Sequence, residues 1–177
     1  FPGDVVSLGE APIVFHASRK NKSTPKVLEA NTLISRLEEE TYRAMHYERP
    51  LSVAALHLGK FSGDNNAIEE MTRGALRRTD VIGWAQQNIM LILLPECTQP
   101  EAREVAFAVH KSVTDVAPNA RIGIATCPAD GYEAVTLISA ARASASRPHE
   151  QSIVFSKHED CTLQLGDRSI IVADVAM

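Results

Sequence analysis

Six consecutive apolar residues, Ile89-Met90-Leu91-Ile92-Leu93-Leu94, constrain this chain more than any other feature. They follow a polar pair, Gln86-Gln87, and end at Pro95, while Val81-Ile82-Gly83-Trp84 precedes the pair. The stretch from Arg77 to Pro95 therefore reads as a helix end, a strand, a two-residue turn at Gln86-Gln87 and a second strand made wholly of core residues.

The rest of the chain supplies layers for that hairpin. A helix is expected from about Leu28 to Tyr47, with Leu33, Ile34, Leu37 and Met45 on its apolar face, Glu38, Glu39 and Glu40 mostly on its solvated face, and Arg49-Pro50 as its stop. Leu51–Leu58 reads as a buried strand, and Asp64 as the cap of a second helix over Ala67–Leu76. Thr98 or Gln99, followed by Pro100, starts a third helix whose stripe of Ala102, Val105, Ala106, Val109 and Val113 has helical spacing. Arg121–Thr126 is a strand, Pro128-Ala129-Asp130-Gly131 a turn, Tyr132–Ala143 a fourth helix and Ser152–Phe155 a closing strand. The order α, β, α, β, β, α, β, α, β predicts a central sheet with helices packed on it.

Composition narrows the function classes. A formal charge of −4 over 177 residues does not fit a module that grips nucleic acid by its phosphates. No apolar run approaches the ~20 residues that cross a bilayer, so no membrane partner is expected and the location is expected to be cytoplasmic. Three cysteines, Cys97, Cys127 and Cys161, stand far apart with no CxxC pair, a pattern of reduced thiols rather than structural zinc. No GxSxG elbow and no P-loop occur. The chain opens on Phe1 without a signal-peptide pattern and closes inside an apolar run at Met177, so it is expected to be a piece of a longer protein.

Three segments in order, RLEEETYRAMHYERPLSVAAL, ALRRTDVIGWAQQNIMLILLPECT and ARIGIATCPADGYEAVTLISAARAS, resemble the GGDEF domain, the diguanylate cyclase fold. The resemblance implies an α/β fold with a mostly antiparallel central sheet flanked by helices. It also implies where the chemistry belongs, and those places are altered. Cyclases of this family hold Mg²⁺ with hard oxygen ligands. Their loop brings glycines close to the phosphates and follows them with an acidic pair, where this chain has Gln86, Gln87, Asn88, Ile89 and Met90. The first strand ends in metal-binding aspartates there, and in His57 and Gly59 here. Between Phe61 and Arg77 the chain is also about a dozen residues short of the family pattern, some three helical turns. No catalytic residue, no metal and no cofactor are therefore expected.

One motif of the family is kept. Arg77-Arg78-Thr79-Asp80 stands where these cyclases carry the Arg-x-x-Asp inhibitory site for cyclic di-GMP. Arginine forks onto phosphate or a guanine edge and aspartate accepts guanine N–H groups, and Arg73, about one turn earlier, is placed to join them. The same residues also fit plain structure, since Arg77 suits a helix C-terminus and Asp80 a turn. His57 on an apolar strand fits a satisfied core histidine better than a metal ligand, and Cys97 and Cys127 fit inert buried or turn thiols.

The two ends carry further resemblances. Pro2-Gly3-Asp4-Val5, Leu8-Gly9 and Ile13-Val14-Phe15 read as a hairpin, similar to the last two strands of forkhead-associated domains, and 17–27 reads as a linker. After Phe155 the chain turns polar, and its close on IIVADVAM resembles the lead-in to the AAA+ domain of σ54-dependent transcriptional activators. The implied organisation is a forkhead-associated tail over 1–16, a degenerate GGDEF-like domain over 28–156 and a lead-in over 157–177. Its function would be regulatory, with σ54-RNA polymerase and DNA reached only through other domains. A cyclic di-GMP receptor and a ligand-free dimerisation or spacer module remain the alternatives, with a homodimer and neighbouring domains of the same protein as partners.

Overall fold

The computed structural model describes residues 5–8, 11–14, 25–146, 152–155, 163–165 and 168–170. In chain order the elements are β1 (Val5–Leu8), β2 (Ala11–Val14), β3 (Lys26–Leu28), α1 (Ala30–His46), β4 (Leu51–His57), α2 (Asn65–Gly74), β5 (Val81–Gln86), β6 (Ile89–Pro95), α3 (Gln99–Val113), β7 (Arg121–Cys127), α4 (Ala134–Ser146), β8 (Ile153–Phe155), β9 (Leu163–Leu165) and β10 (Arg168–Ile170). Strands β3, β5, β6, β4, β7 and β8 form one sheet in that spatial order, antiparallel at its centre and parallel where β3 meets β5 and β7 meets β8.

The apolar run explains the layering. Along β6, Met90, Ile92 and Leu94 join one core cluster with Ile68 of α2 and Ala102, Ala106, Val109 and Val113 of α3. Leu91 and Leu93 point the other way, into a cluster with Leu33 and Leu37 of α1 and Leu137, Ala140 and Ala141 of α4. Side chains alternate across a strand, so a strand covered on both faces has no polar positions. Each fully buried Leu or Ile contributes about 1.5–3 kcal/mol relative to exposure. On β7, Gly123 lets α4 lie against the sheet: a Cβ there would meet the Ala141 carbonyl oxygen at 2.0 Å.

Local signals set most boundaries. Asp64 caps α2 by accepting the Asn66 N–H at 2.9 Å. At α3, Thr98 N–H donates to the Glu101 carboxylate at 2.7 Å and Pro100 lies in the first turn.

Several expectations need correction. The turn between β5 and β6 is at Gln87-Asn88, one residue later than Gln86-Gln87, because a register shift between Trp84 and Gln86 takes up a residue. The linker expected over 17–27 runs into β3, whose three residues are too short to show periodicity and are held by backbone pairing to β5. Helix α1 consequently starts at Ala30, not Leu28. On that helix Glu40 is buried and Met45 is exposed, the reverse of the expected faces. Glu40 lies between Arg36, at 2.6 Å, and Arg43, at 3.4 Å, and that pairing makes its burial tolerable.

At the ends, β1 and β2 pair antiparallel, as a hairpin should. The polar stretch after Phe155 contains a second antiparallel pair, β9 and β10, where only loop was expected. Most residues of the two end resemblances, including 171–177, lie outside the described set, as does Cys161.

Candidate functional site

The β5–β6 turn reaches the end of β4. Antiparallel pairing of β4 with β6 sets His57 opposite Ile89, and the Leu58 N–H donates to the Asn88 carbonyl at 2.9 Å. From there the Asn88 amide lies 3.5 Å from His57 Nε2 and donates to the Gly59 carbonyl at 3.4 Å. The Gly59 N–H in turn points at His57 Nδ1, at 3.3 Å. So the fold does gather His57, Gly59 and Asn88 at one place, and Met90, the last of the singled-out residues, is buried core beside them.

The electrostatics of this place are neutral to positive. Burial lowers the pKa of His57, and the charges of Arg121 and Arg142 lower it further. Arg121 is the β7 residue in register with His57. A divalent cation here would meet an imidazole, an amide, a carbonyl and a guanidinium, with no carboxylate among them. That donor set does not fit Mg²⁺, which takes hard and usually anionic oxygen. Two acidic side chains of the α2 region have partners of their own: Asp64 caps the helix, and Glu69 accepts the Trp84 indole N–H at 2.6 Å. Among the described residues no group of three or more His, Cys, Asp and Glu is placed to hold a metal ion. Gly59 itself has φ of +66°, and a Cβ there would sit 3.2 Å from the Asn119 Cβ.

Arg77 and Asp80 meet at the opposite end of the hairpin. Asp80 is fully buried, and its carboxylate accepts the Arg77 backbone N–H at 2.7 Å, Arg77 Nη2 at 2.9 Å and Arg77 Nε at 3.1 Å. Arg77 Nη2 also donates to the Pro95 carbonyl at 3.0 Å, tying the start of β5 to the end of β6. The hydrogen bond with Asp80 is the main cause of a raised Arg77 pKa. The motif is thus closed on itself as a clasp.

The clasp borders a groove of about 730 Å³ between α1 and the Pro95 end of the hairpin. Lys26, Arg36, Arg43, Arg77 and Arg78 line it, against Glu40, Asp80 and Glu96, so five cations face three carboxylates. Arg73 is not among the lining residues. Glu40 and Glu96 are each ion-paired, Glu96 with Arg49. Lys26, Arg36, Arg43, Arg78 and Glu96 were not marked by any motif. The i to i+4 and i to i+3 spacing of Arg36, Glu40 and Arg43 was the one available signal.

Cys97 and Cys127 are buried free thiols, both pushed up by burial, Cys97 to about 11. They are unsuited to nucleophilic work at neutral pH.

No protein-family model matches the sequence, and no curated protein matches it. Solved structures do. The GGDEF domain of TpbB (YfiN) from Pseudomonas aeruginosa aligns with a TM-score of 0.63 at 18% identity, covering 81% of this chain and 96% of that one. The active GGEEF domain of a diguanylate cyclase from Vibrio cholerae also aligns at 0.63, with 10% identity over 72% of this chain and 96% of that one. The GGDEF domain of DgcB from Caulobacter crescentus, solved with c-di-GMP, aligns at 0.59 with 13% identity, covering 81% and 97%. The fold is therefore the GGDEF cyclase-like fold that was expected, and its sheet flanked by four helices has six strands, β3 being the addition.

Proposed function

We propose that this chain is a non-catalytic regulatory domain of a bacterial signalling protein, built on a cyclase-like scaffold. The observation that carries the reading is the set of side chains where the β5–β6 turn meets the end of β4: His57, Gly59 and Asn88, with Arg121 in register and no carboxylate. A phosphoryl-transfer site of this kind needs metal-held charge neutralisation, and these groups offer none. The role left is mechanical. The domain holds its neighbours in one arrangement and shifts them through dimerisation or a ligand, and a ligand acts only by its differential affinity for the two arrangements. Incubating the chain with GTP and Mg²⁺ and resolving products by chromatography tests the reading; any cyclic dinucleotide overturns it.

The wider setting we favour is a σ54-dependent transcription activator with a forkhead-associated domain upstream. It is supported by the resemblances of residues 2–15 and 170–177 alone. A GxxxxGK[ST] pattern in the sequence that follows Met177 is the result this setting requires.

A second reading, a receptor for cyclic di-GMP, draws support from the cationic groove beside the retained motif. It requires the Asp80 carboxylate to leave Arg77, because its oxygens are occupied by that side chain. Calorimetric titration with the dinucleotide decides: this reading needs heat at micromolar ligand that disappears in Arg77→Ala.

A further inference from the structure

Eight large apolar side chains are exposed among the described residues, and four of them gather on one side. Tyr42 (70% exposed) and Met45 (52%) belong to the C-terminal half of α1, and Tyr132 (60%) and Val135 (45%) to the entry into α4. Tyr42, Met45, Tyr132 and Val135 border one shallow cleft of about 340 Å³. The His46 ring stacks on Tyr42 with centroids 5.8 Å apart and so joins the patch, while Tyr47 borders a different pocket with Arg43 and Arg49. Such clustering is unusual for a solvated surface, where single exposed apolar residues are the norm.

We propose that this face is the contact between two copies of the chain, with their α1 helices antiparallel about a two-fold axis near Tyr42. The order of side chains on α1 is what selects a second copy as the occupant. At about 100° per residue, Glu38, Tyr42, Met45 and His46 share one sector of the helix. Along that stripe the order is acidic, aromatic, basic, with Arg49 just past the helix end. A two-fold interface must be self-complementary, and an axis perpendicular to the helix sets each stripe against its own copy reversed. Reversal sets Glu38 against the partner's His46 and His46 against the partner's Glu38, with Tyr42 meeting its counterpart at the axis. Parallel packing would instead oppose Glu38 to Glu38. At roughly 200 Å² for each fully exposed aromatic side chain, burial of the exposed parts of these four residues from both copies removes about 800 Å², in the range of transient encounters and under the about 1,000 Å² of a stable specific interface. The contact is therefore a weak one, suited to a domain whose arrangement has to change.

The proposal rests on the mechanical role given above but not on the loss of chemistry, so an oligomer measurement and a cyclase assay fail separately. Sedimentation equilibrium of the 177-residue chain is expected to show a concentration-dependent monomer–dimer equilibrium. Tyr42→Glu brings like charges together at the axis and weakens association at least about tenfold. Circular dichroism stays unchanged, because Tyr42 is exposed. Glu38→Lys alone weakens the dimer, and Glu38→Lys with His46→Glu together recover it to within about threefold of the parent, since the stripe is then reversed but again self-complementary. A chain that stays monomeric up to about 1 mM, a dimer indifferent to Tyr42→Glu, or a charge swap without recovery each overturns the proposal.

Discussion

Replacing Asp80 with alanine is expected to destabilise the domain by about 3 kcal/mol, and the value follows from what the carboxylate holds. Asp80 is fully buried and accepts one backbone N–H and the side chain of Arg77. Losing the acceptor of the backbone N–H costs about 1–3 kcal/mol. Breaking one side of a fully buried ion pair costs about 3–5 kcal/mol. Here the Arg77 side chain is 44% exposed, so water re-solvates it and its share falls toward the ~1 kcal/mol of an exposed pair. The two parts together give the stated total, or a drop of roughly 6–12 °C in Tm for a domain of this size. Urea unfolding measures it as a lower midpoint at unchanged m. Arg77→Ala and the double variant complete the cycle, with a coupling energy of about 1–2 kcal/mol. An Asp80→Ala variant within about 0.5 kcal/mol of the parent would falsify the clasp, because that is the range of a surface substitution.

Restoring carboxylates through His57→Asp and Gly59→Asp is expected to yield no cyclic dinucleotide from GTP and Mg²⁺, and the Gly59 change alone costs about 1–2 kcal/mol for a Cβ at positive φ; product formation refutes this. Gly123→Ala puts a Cβ 2.0 Å from the Ala141 carbonyl oxygen and 2.3 Å from the Ala145 nitrogen, so α4 must lift and the urea midpoint should fall by the equivalent of about 3 kcal/mol. Because the folded-state pKa of His57 is lowered, the unfolded chain takes up that proton first and stability declines as pH falls through 6.5. His57→Gln should lack that part of the slope between about pH 7.5 and 5, and an unchanged slope rejects it. With its thiol pushed up to about 11, Cys97 in a Cys161→Ser background should resist a thiol reagent such as DTNB until the chain unfolds; rapid labelling of the native protein rejects this.

What sequence could show, and what it could not, divides along the range of the interactions. The apolar run of β6 is legible because burial on both faces leaves no polar position. Helix α3 begins at the expected Gln99 and ends at Val113, since its cap, its proline and its stripe are all local signals. The β5–β6 turn lies one residue beyond where the polar pair points, because a register shift next to Ala85 leaves no mark in composition. Strand β3 is specified by pairing with β5, not by its own pattern. In the run Glu38-Glu39-Glu40, only packing says which member turns inward. The groove gathers positions 26, 36, 43, 77, 78 and 96, which no spacing rule connects. The Arg-x-x-Asp motif was legible as a pair, but that the pair would face itself is a property of the folded turn.

Strand β6 runs seven residues from the altered turn to Pro95, and at about 3.3 Å per residue this places the turn and the clasp roughly 20 Å apart. A molecule seated against Arg77 therefore touches none of His57, Gly59 or Asn88, and the hairpin between the two ends is core on both faces and poorly able to bend. Helix α1 is better placed to carry a signal. It turns Arg36, Glu40 and Arg43 toward the groove and Glu38, Tyr42, Met45 and His46 toward solvent. Re-pairing the groove cations would move the same rigid helix that presents the exposed aromatic face. Coupling between groove and surface then needs no change in the sheet and does not pass through the turn at His57 and Asn88.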